Sequence, residues 1–206
     1  MGIPVLILGE SGSGKSSSLR NFEHGEIGVF NVASKPLPFR KNLLSVNNAG
    51  YQTILKTLAK PTMKAYAIDD SQYLMAFASF DRAKETGYGK FTDFAVDFRN
   101  LIRFIVERTP PDCIVYFLHH TETTDTGKIK AKTIGKMLDS QLTVEGLFSI
   151  VLLAEASKDG YKFITQSDGF TTAKSPMEMF DREIDNDLKF VDAAIRDYWQ
   201  LGKEAQ

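Results

Sequence analysis

The sequence predicts a single α/β domain over residues 1–206, a mainly parallel sheet flanked by helices, and three observations predict it. An apolar run, Val5 to Leu8, leads directly into Gly9-Glu-Ser-Gly-Ser-Gly-Lys-Ser16. That is a full G-x-x-x-x-G-K-S in the strand–loop–helix order of a P-loop NTPase. Beyond it, short apolar runs of strand length alternate with longer stretches of helical period, the pattern of a parallel sheet with crossover helices. A later apolar run, Ala65 to Ile68, ends in Asp69-Asp70, and open α/β sheets collect their ligands at the carboxyl ends of their strands.

The elements come in order along the chain. Val5 to Leu8 is apolar throughout, as a strand buried on both faces must be. Lys15 to Phe22 starts a helix straight after the loop, and Ile27 to Val32 is a second strand. Lys35-Pro-Leu-Pro-Phe39 cannot continue either pattern and reads as a rigid loop. Ala49 to Ala59 is helical with Ile54, Leu55 and Leu58 inward, and Ala65 to Ile68 is the third strand. Tyr73 to Lys84 has helical spacing, broken at Gly87-Tyr88-Gly89. Phe94, Phe98, Leu101 and Ile105 mark one face of a following helix, stopped by Pro110-Pro111. Cys113 to Leu118 and Ser149 to Ala154 are strands four and five. Tyr161 to Thr165 alternates after Lys158-Asp159-Gly160 and forms a C-terminal hairpin with strand five. His119 to Lys136 is the least regular stretch. The terminal helix spans about Asp185 to Leu201, with a stripe of Ile184, Leu188, Val191, Ile195 and Tyr198 that either docks on the sheet or forms a short heptad seam with another subunit.

Composition removes several classes. The chain is 43% hydrophobic, enough for a sizeable core, and its net charge of −1 gives no global field for nucleic acid. Three His and one Cys exclude a structural zinc site. Cys113 lies in an apolar run as a core residue and has no disulfide partner, which suits a cytoplasmic protein. The N-terminal apolar stretch is too short for a signal peptide, and no segment reaches membrane-span length.

The loop carries the chemistry. Gly9, Gly12 and Gly14 allow the tight turns that point backbone N–H groups inward, with Glu10, Ser11 and Ser13 between them. Lys15 reaches the β- and γ-phosphates of a nucleoside triphosphate, and the Ser16 hydroxyl ligates Mg²⁺. Asp69 is the expected second metal group. Asp70 should leave the strand on the opposite face, either to position or deprotonate the attacking water or to cap the Tyr73 helix together with Ser71. Glu10 is a rival base or a tolerated loop residue. After strand four comes His119-His120-Thr121-Glu122. With an inserted strand between the loop strand and the Asp69 strand, His120, or else Thr121, senses the γ-phosphate. Lys128, Lys130, Lys132 and Lys136 form the one concentrated basic stretch, either a DNA-phosphate track, a lysine finger reaching a neighbour's γ-phosphate, or ordinary surface. Tyr88, Phe91 and Phe170 are candidates for base stacking or for packing.

Taken together, the glycine-rich loop, Lys35-Pro-Leu-Pro-Phe, Ile68-Asp-Asp-Ser-Gln-Tyr73, His120-Thr-Glu, Lys132-Thr-Ile-Gly-Lys, Ala173-Lys-Ser-Pro and Asp185-Asn-Asp-Leu resemble phage-encoded RecA-like ATP-binding proteins, compact P-loop ATPases akin to a minimal recombinase core. The resemblance covers nearly the whole chain. It implies a RecA-like fold, ATP phosphates at Gly12 to Ser17, Mg²⁺ near Ser16 and Asp69, and a γ-phosphate contact near His120. It also implies a role on single-stranded DNA in recombination, annealing or replication, as a homo-oligomer, with a phage single-strand-binding protein as a further partner. One departure is plain: where RecA-like ATPases carry a catalytic Glu after the second strand, this chain reads Val32-Ala33-Ser34-Lys35. Asp70 takes that role, or turnover is slow. The alternatives are an ATP-controlled accessory or loader module with little turnover, and a nucleotide or small-molecule kinase using 122–136 as a lid. That segment has lysines but no arginine to clamp a second substrate.

Overall fold

The computed structural model describes residues 1–87, 89–135 and 142–202, and among these nine strands and four α-helices form an α/β fold with a mostly parallel mixed sheet flanked by helices. The strands are β1 (Ile3–Gly9), β2 (Gly28–Asn31), β3 (Leu44–Asn47), β4 (Ala65–Asp69), β5 (Ile114–Thr123), β6 (Ile129–Ala131), β7 (Ile150–Ser157), β8 (Gly160–Ile164) and β9 (Glu183–Asp185). The helices are α1 (Tyr51–Leu58), α2 (Tyr73–Asp81), α3 (Gly89–Arg108) and α4 (Leu188–Tyr198). The sheet runs β3-β2-β4-β5-β1-β7-β8-β9. Pairing is parallel from β3 to β7 and antiparallel in the β7–β8 and β8–β9 steps. None of the described helices is long and apolar enough to cross a membrane.

The alternation of side chains across each central strand builds two cores. From β1, Leu6 and Leu8 face α1, α2 and α3, alongside Val115 and Phe117 of β5. Val5 and Ile7 face the other way with Ile114, Tyr116 and Leu118, onto Leu19 and α4. A continuous apolar run is therefore what β1 requires, because both its faces are covered. Cys113 is buried in the first core and free.

The terminal stripe settles within the chain. Leu188, Val191 and Ile195 are fully buried in the second core, while Tyr198 is largely exposed. The heptad-seam alternative is corrected accordingly: the sheet uses the apolar face. Asp187 caps α4 by accepting hydrogen bonds from the Lys189 and Phe190 N–H groups.

Three further readings change. The helix expected at Lys15–Phe22 is a six-residue 3-10 turn, Ser16–Asn21. Three consecutive serines disfavour an α-helix, and the Ser18 hydroxyl bonds back to the Lys15 carbonyl. The stretch 119–136 is not the irregular region expected. β5 runs ten residues, to Thr123, and folds back antiparallel onto β6. The polar residues after Leu118 hide it, since they extend beyond the two-sided core. The edge strands β3 and β9 carry only a brief alternation, Leu44-Ser-Val-Asn47 and Glu183-Ile-Asp185, and every residue of β3 is exposed.

Candidate functional site

The carboxyl ends of β1, β4 and β5 meet at one cavity of about 300 Å³. β5 lies between β1 and β4, and its register places His120 opposite Gly9. The glycine-rich loop comes after β1 and turns tightly, with a hydrogen bond from the Ser13 N–H to the Glu10 carbonyl. Gly12 and Gly14 have φ of 83° and 92°, backbone that side chains resist. A side chain at Gly9 would collide with the Ser13 hydroxyl, and one at Gly14 with the ring of Tyr161 on β8. Ser13 Oγ is buried with no hydrogen-bond partner among the described residues, a polar group facing into the loop and left unsatisfied by the chain. Glu10 is exposed, its backbone carbonyl accepts from Lys15, and its carboxylate adds to the negative field at that ammonium. Ser11, Gly12 and Ser17 line the cavity.

Lys15 is buried, 6% exposed. Its ammonium donates to the Gly9 and Glu10 carbonyls, at 2.8 Å each. Burial pulls its pKa down to about 8, against the attraction of Asp70 and Asp69. Ser16 Oγ donates to Asp69 Oδ1 at 2.7 Å, so two residues 53 apart in sequence are brought onto one spot. Burial pushes the Asp69 carboxyl up, in opposition to that hydrogen bond. Among the described residues there is no cluster of three or more His, Cys, Asp or Glu. Two oxygen groups side by side are too few for a closed cage but suffice for Mg²⁺ whose remaining positions are filled by phosphate oxygens and water.

Asp70 departs from expectation. Strand alternation predicts its side chain on the face opposite Asp69, yet both carboxylates line the same cavity. β4 stops at Asp69, and Asp70 adopts a left-handed φ of 59°, which re-aims the side chain. It does not cap α2, whose first residues receive no side-chain hydrogen bond. Instead it is clamped: His120 Nε2 donates to Oδ1 at 3.0 Å, and Lys35 Nζ sits 2.6 Å from Oδ2. Burial pushes the Asp70 carboxyl up, but the hydrogen bonds from His120 and Lys35 outweigh it and hold the pKa below the ordinary value.

The neighbouring His119 has a structural task that the sequence does not disclose. It is fully buried, with Nδ1 2.9 Å from Ser71 Oγ and Nε2 2.9 Å from the Lys132 carbonyl. As the neutral tautomer it accepts from the serine and donates to the carbonyl, tying the segment after β6 to the turn after β4. Burial lowers its pKa to about 4. The unfolded chain takes up this proton near pH 6.5 and the folded chain only near 4, so the contribution is full above 6.5 and lost as pH falls toward 4. The loss is about 3 kcal/mol. Urea midpoints of wild type and His119→Asn, compared at neutral and mildly acid pH, are expected to converge on acidification; a constant difference would contradict a buried neutral imidazole.

The lysine row is extended rather than helical. Lys128 and Lys132 flank β6 and are exposed, Lys130 pairs with Glu122 at 2.9 Å, and Lys136 lies outside the described residues. Thr121 does not line that cavity; it lines a neighbouring one of about 390 Å³ that shares Ser11 and Gly12 with it and also takes in Glu10 and Glu155. Phe91 packs edge-on against Phe94, Phe170 is 63% exposed, and Tyr88 lies outside the described residues.

Lys35 and Tyr161 are the cavity residues that sequence reading misses. For Lys35 a signal exists: it comes after the end of β2, at the ligand-bearing edge of the sheet. For Tyr161 there is none, since its contact with Gly14 exists only because β8 pairs beside β7. Gly14→Ala is expected to cost about 1–3 kcal/mol, from the left-handed backbone and the Tyr161 contact. Tyr161→Ala in the same chain should relieve only part of it, as read by denaturant titration.

No protein-family model matches the chain, and no curated protein matches it in sequence.

Proposed function

We propose that this chain is a P-loop ATPase of RecA-like arrangement that binds Mg²⁺ and ATP at the Gly9–Ser17 loop, hydrolyses ATP and acts on single-stranded DNA. The observation that carries the nucleotide reading is the convergence of Lys15, Ser16 and Asp69: a buried ammonium and a hydroxyl–carboxylate pair at the mouth of a glycine-rich turn. Lys15 would contact the outer phosphates, the loop backbone would receive phosphate oxygens, and Ser16 with Asp69 would hold the metal, which would supply neutralisation of the charge that develops on the phosphoryl group. The strand inserted between the loop strand and the Asp69 strand supports the RecA-like arrangement.

The DNA part rests on the β5–β6 hairpin. It rises from the strand that carries His120 and presents Lys128 and Lys132 to solvent, so strand binding there would be coupled to the site through β5. The homo-oligomer and a phage single-strand-binding protein belong to this reading as partners.

A second reading, an ATP-controlled module with little turnover, is favoured by one observation. Asp70, the candidate base, is already engaged at both oxygens, by His120 and by Lys35. The separating experiment is the ATPase rate with and without single-stranded DNA at low salt, for wild type and Lys15→Ala. Stimulation by DNA that Lys15→Ala abolishes supports the first reading. ATP binding with negligible turnover under both conditions selects the second. Absence of ATP binding by wild type ends both.

A further inference from the structure

The cavity holds a second cation that the nucleotide reading leaves unused. Lys35 stands where an acid is expected, and its backbone is fixed: buried Asn31 donates to its carbonyl at 2.6 Å and accepts from its N–H at 3.2 Å. Ser34, at a left-handed φ of 54°, hydrogen-bonds Asn48 at the end of β3 and closes the other side of the turn. Pro36 and Pro38 stiffen the chain on its C-terminal side. The side chain, by contrast, is 56% exposed and lies over the Tyr73 ring, 5.2 Å from its centroid, with its ammonium on Asp70. A rigid base with a long mobile arm is suited to exchanging one anion for another at a fixed distance.

The charges favour such an exchange. Without ligand, Lys15 and Lys35 balance Asp69 and Asp70 within one cavity. A triphosphate would add several negative charges beside two carboxylates, and so offer a competing anion to a cation that is paired with one of them.

We propose that Lys35 is a γ-phosphate sensor: it leaves Asp70 for the terminal phosphate of a bound nucleoside triphosphate, and so frees Oδ2 of Asp70 for the attacking water while His120 keeps Oδ1. No bond is made or broken in this exchange; one ion pair replaces another. It reconciles the clamped Asp70 with a hydrolytic role, because the Lys35 half of the clamp opens only when a third phosphate is present. Nucleoside diphosphate leaves Lys35 on Asp70, and the two nucleotide states then differ in charge at the end of β4.

The inference rests on the nucleotide reading above, and calorimetric binding separates the two. Binding of Mg²⁺ with a non-hydrolysable ATP analogue, and with ADP, is measured for wild type, Lys35→Ala, Lys35→Arg and Asp70→Asn, with thermal melting to confirm folding. Lys35→Ala is expected to weaken the ATP analogue about tenfold or more, one charge-assisted contact, and to leave ADP within about twofold. Lys35→Arg restores part of the loss. Asp70→Asn removes the competing carboxylate and should strengthen the analogue relative to ADP. Unchanged analogue binding in Lys35→Ala, an equal loss for both nucleotides, or weakening of the analogue by Asp70→Asn overturns the sensor while leaving the binding site standing. Failure of wild type to bind either nucleotide overturns the site itself and the sensor with it.

Discussion

Lys15→Ala is expected to reduce affinity for Mg²⁺–ATP by about a hundredfold or more, equivalent to the loss of about 3–5 kcal/mol from two charged hydrogen bonds in a desolvated site. The magnitude follows from how Lys15 is stored. It is buried, its hydrogen-bond partners among the described residues are the neutral Gly9 and Glu10 carbonyls, and burial has already lowered its pKa to about 8 against the attraction of Asp70 and Asp69. A charge kept out of water with no ion-pair partner in contact is unfavourable for folding and gains most when an anion arrives. The same substitution should therefore leave thermal stability nearly unchanged, which separates a binding defect from a folding defect. Calorimetry with Mg²⁺–ATP, paired with a melting curve, reads both. Near-wild-type affinity in Lys15→Ala would remove the loop as a triphosphate site.

Phe117→Ala is expected to destabilise the fold by about 3–5 kcal/mol, the largest single effect on stability. Phe117 is fully buried on the central strand β5 and packs edge-on between Phe98 of α3, at 5.9 Å, and Phe148, at 5.3 Å. Truncation leaves a cavity between rings that cannot collapse, because β5 is held by parallel partners on both sides. Phe117→Leu keeps most of the volume and should cost less than about 1.5 kcal/mol. Urea titration gives both numbers. A cost for Phe117→Ala no larger than that for Phe117→Leu would mean that this layer of the core is not tightly packed. Since β5 carries His119 and His120, the alanine variant should also loosen the site beside them.

The two largest effects thus fall on residues that are legible in the sequence for different reasons. Lys15 is set by local sequence: a loop that must turn twice at positive φ and then offer an ammonium can be written in few ways. The central strands, Phe117 among them, are legible because burial on both faces demands an unbroken apolar run, as in Val5 to Leu8. Asp69 is readable as the last residue of such a run.

Where burial does not dictate residue type, the sequence is silent. β3 is an exposed edge and β6 is three residues long, so their alternation, Leu44-Ser-Val-Asn47 and Ile129-Lys-Ala131, is too brief to stand out from loop, and the outer half of β5 is polar. Asp70 escapes the strand pattern because alternation holds only while the backbone stays extended, and one left-handed residue turns its carboxylate back toward Asp69. Its clamping by Lys35 and His120 joins three strand ends, and no local spacing encodes that.

By itself, then, the sequence determined the glycine-rich loop, the buried strands, the helix faces and the Asp69 carboxylate, all of which follow from short-range geometry and from hydrophobic burial. Only the tertiary structure decided that β5 lies between β1 and β4, that His119 is a neutral tie and His120 a ligand of Asp70, and that Lys35 and Tyr161 close the cavity. Those outcomes depend on strand order and on single backbone angles, which bring together residues far apart in the chain through contacts that no stretch of sequence contains.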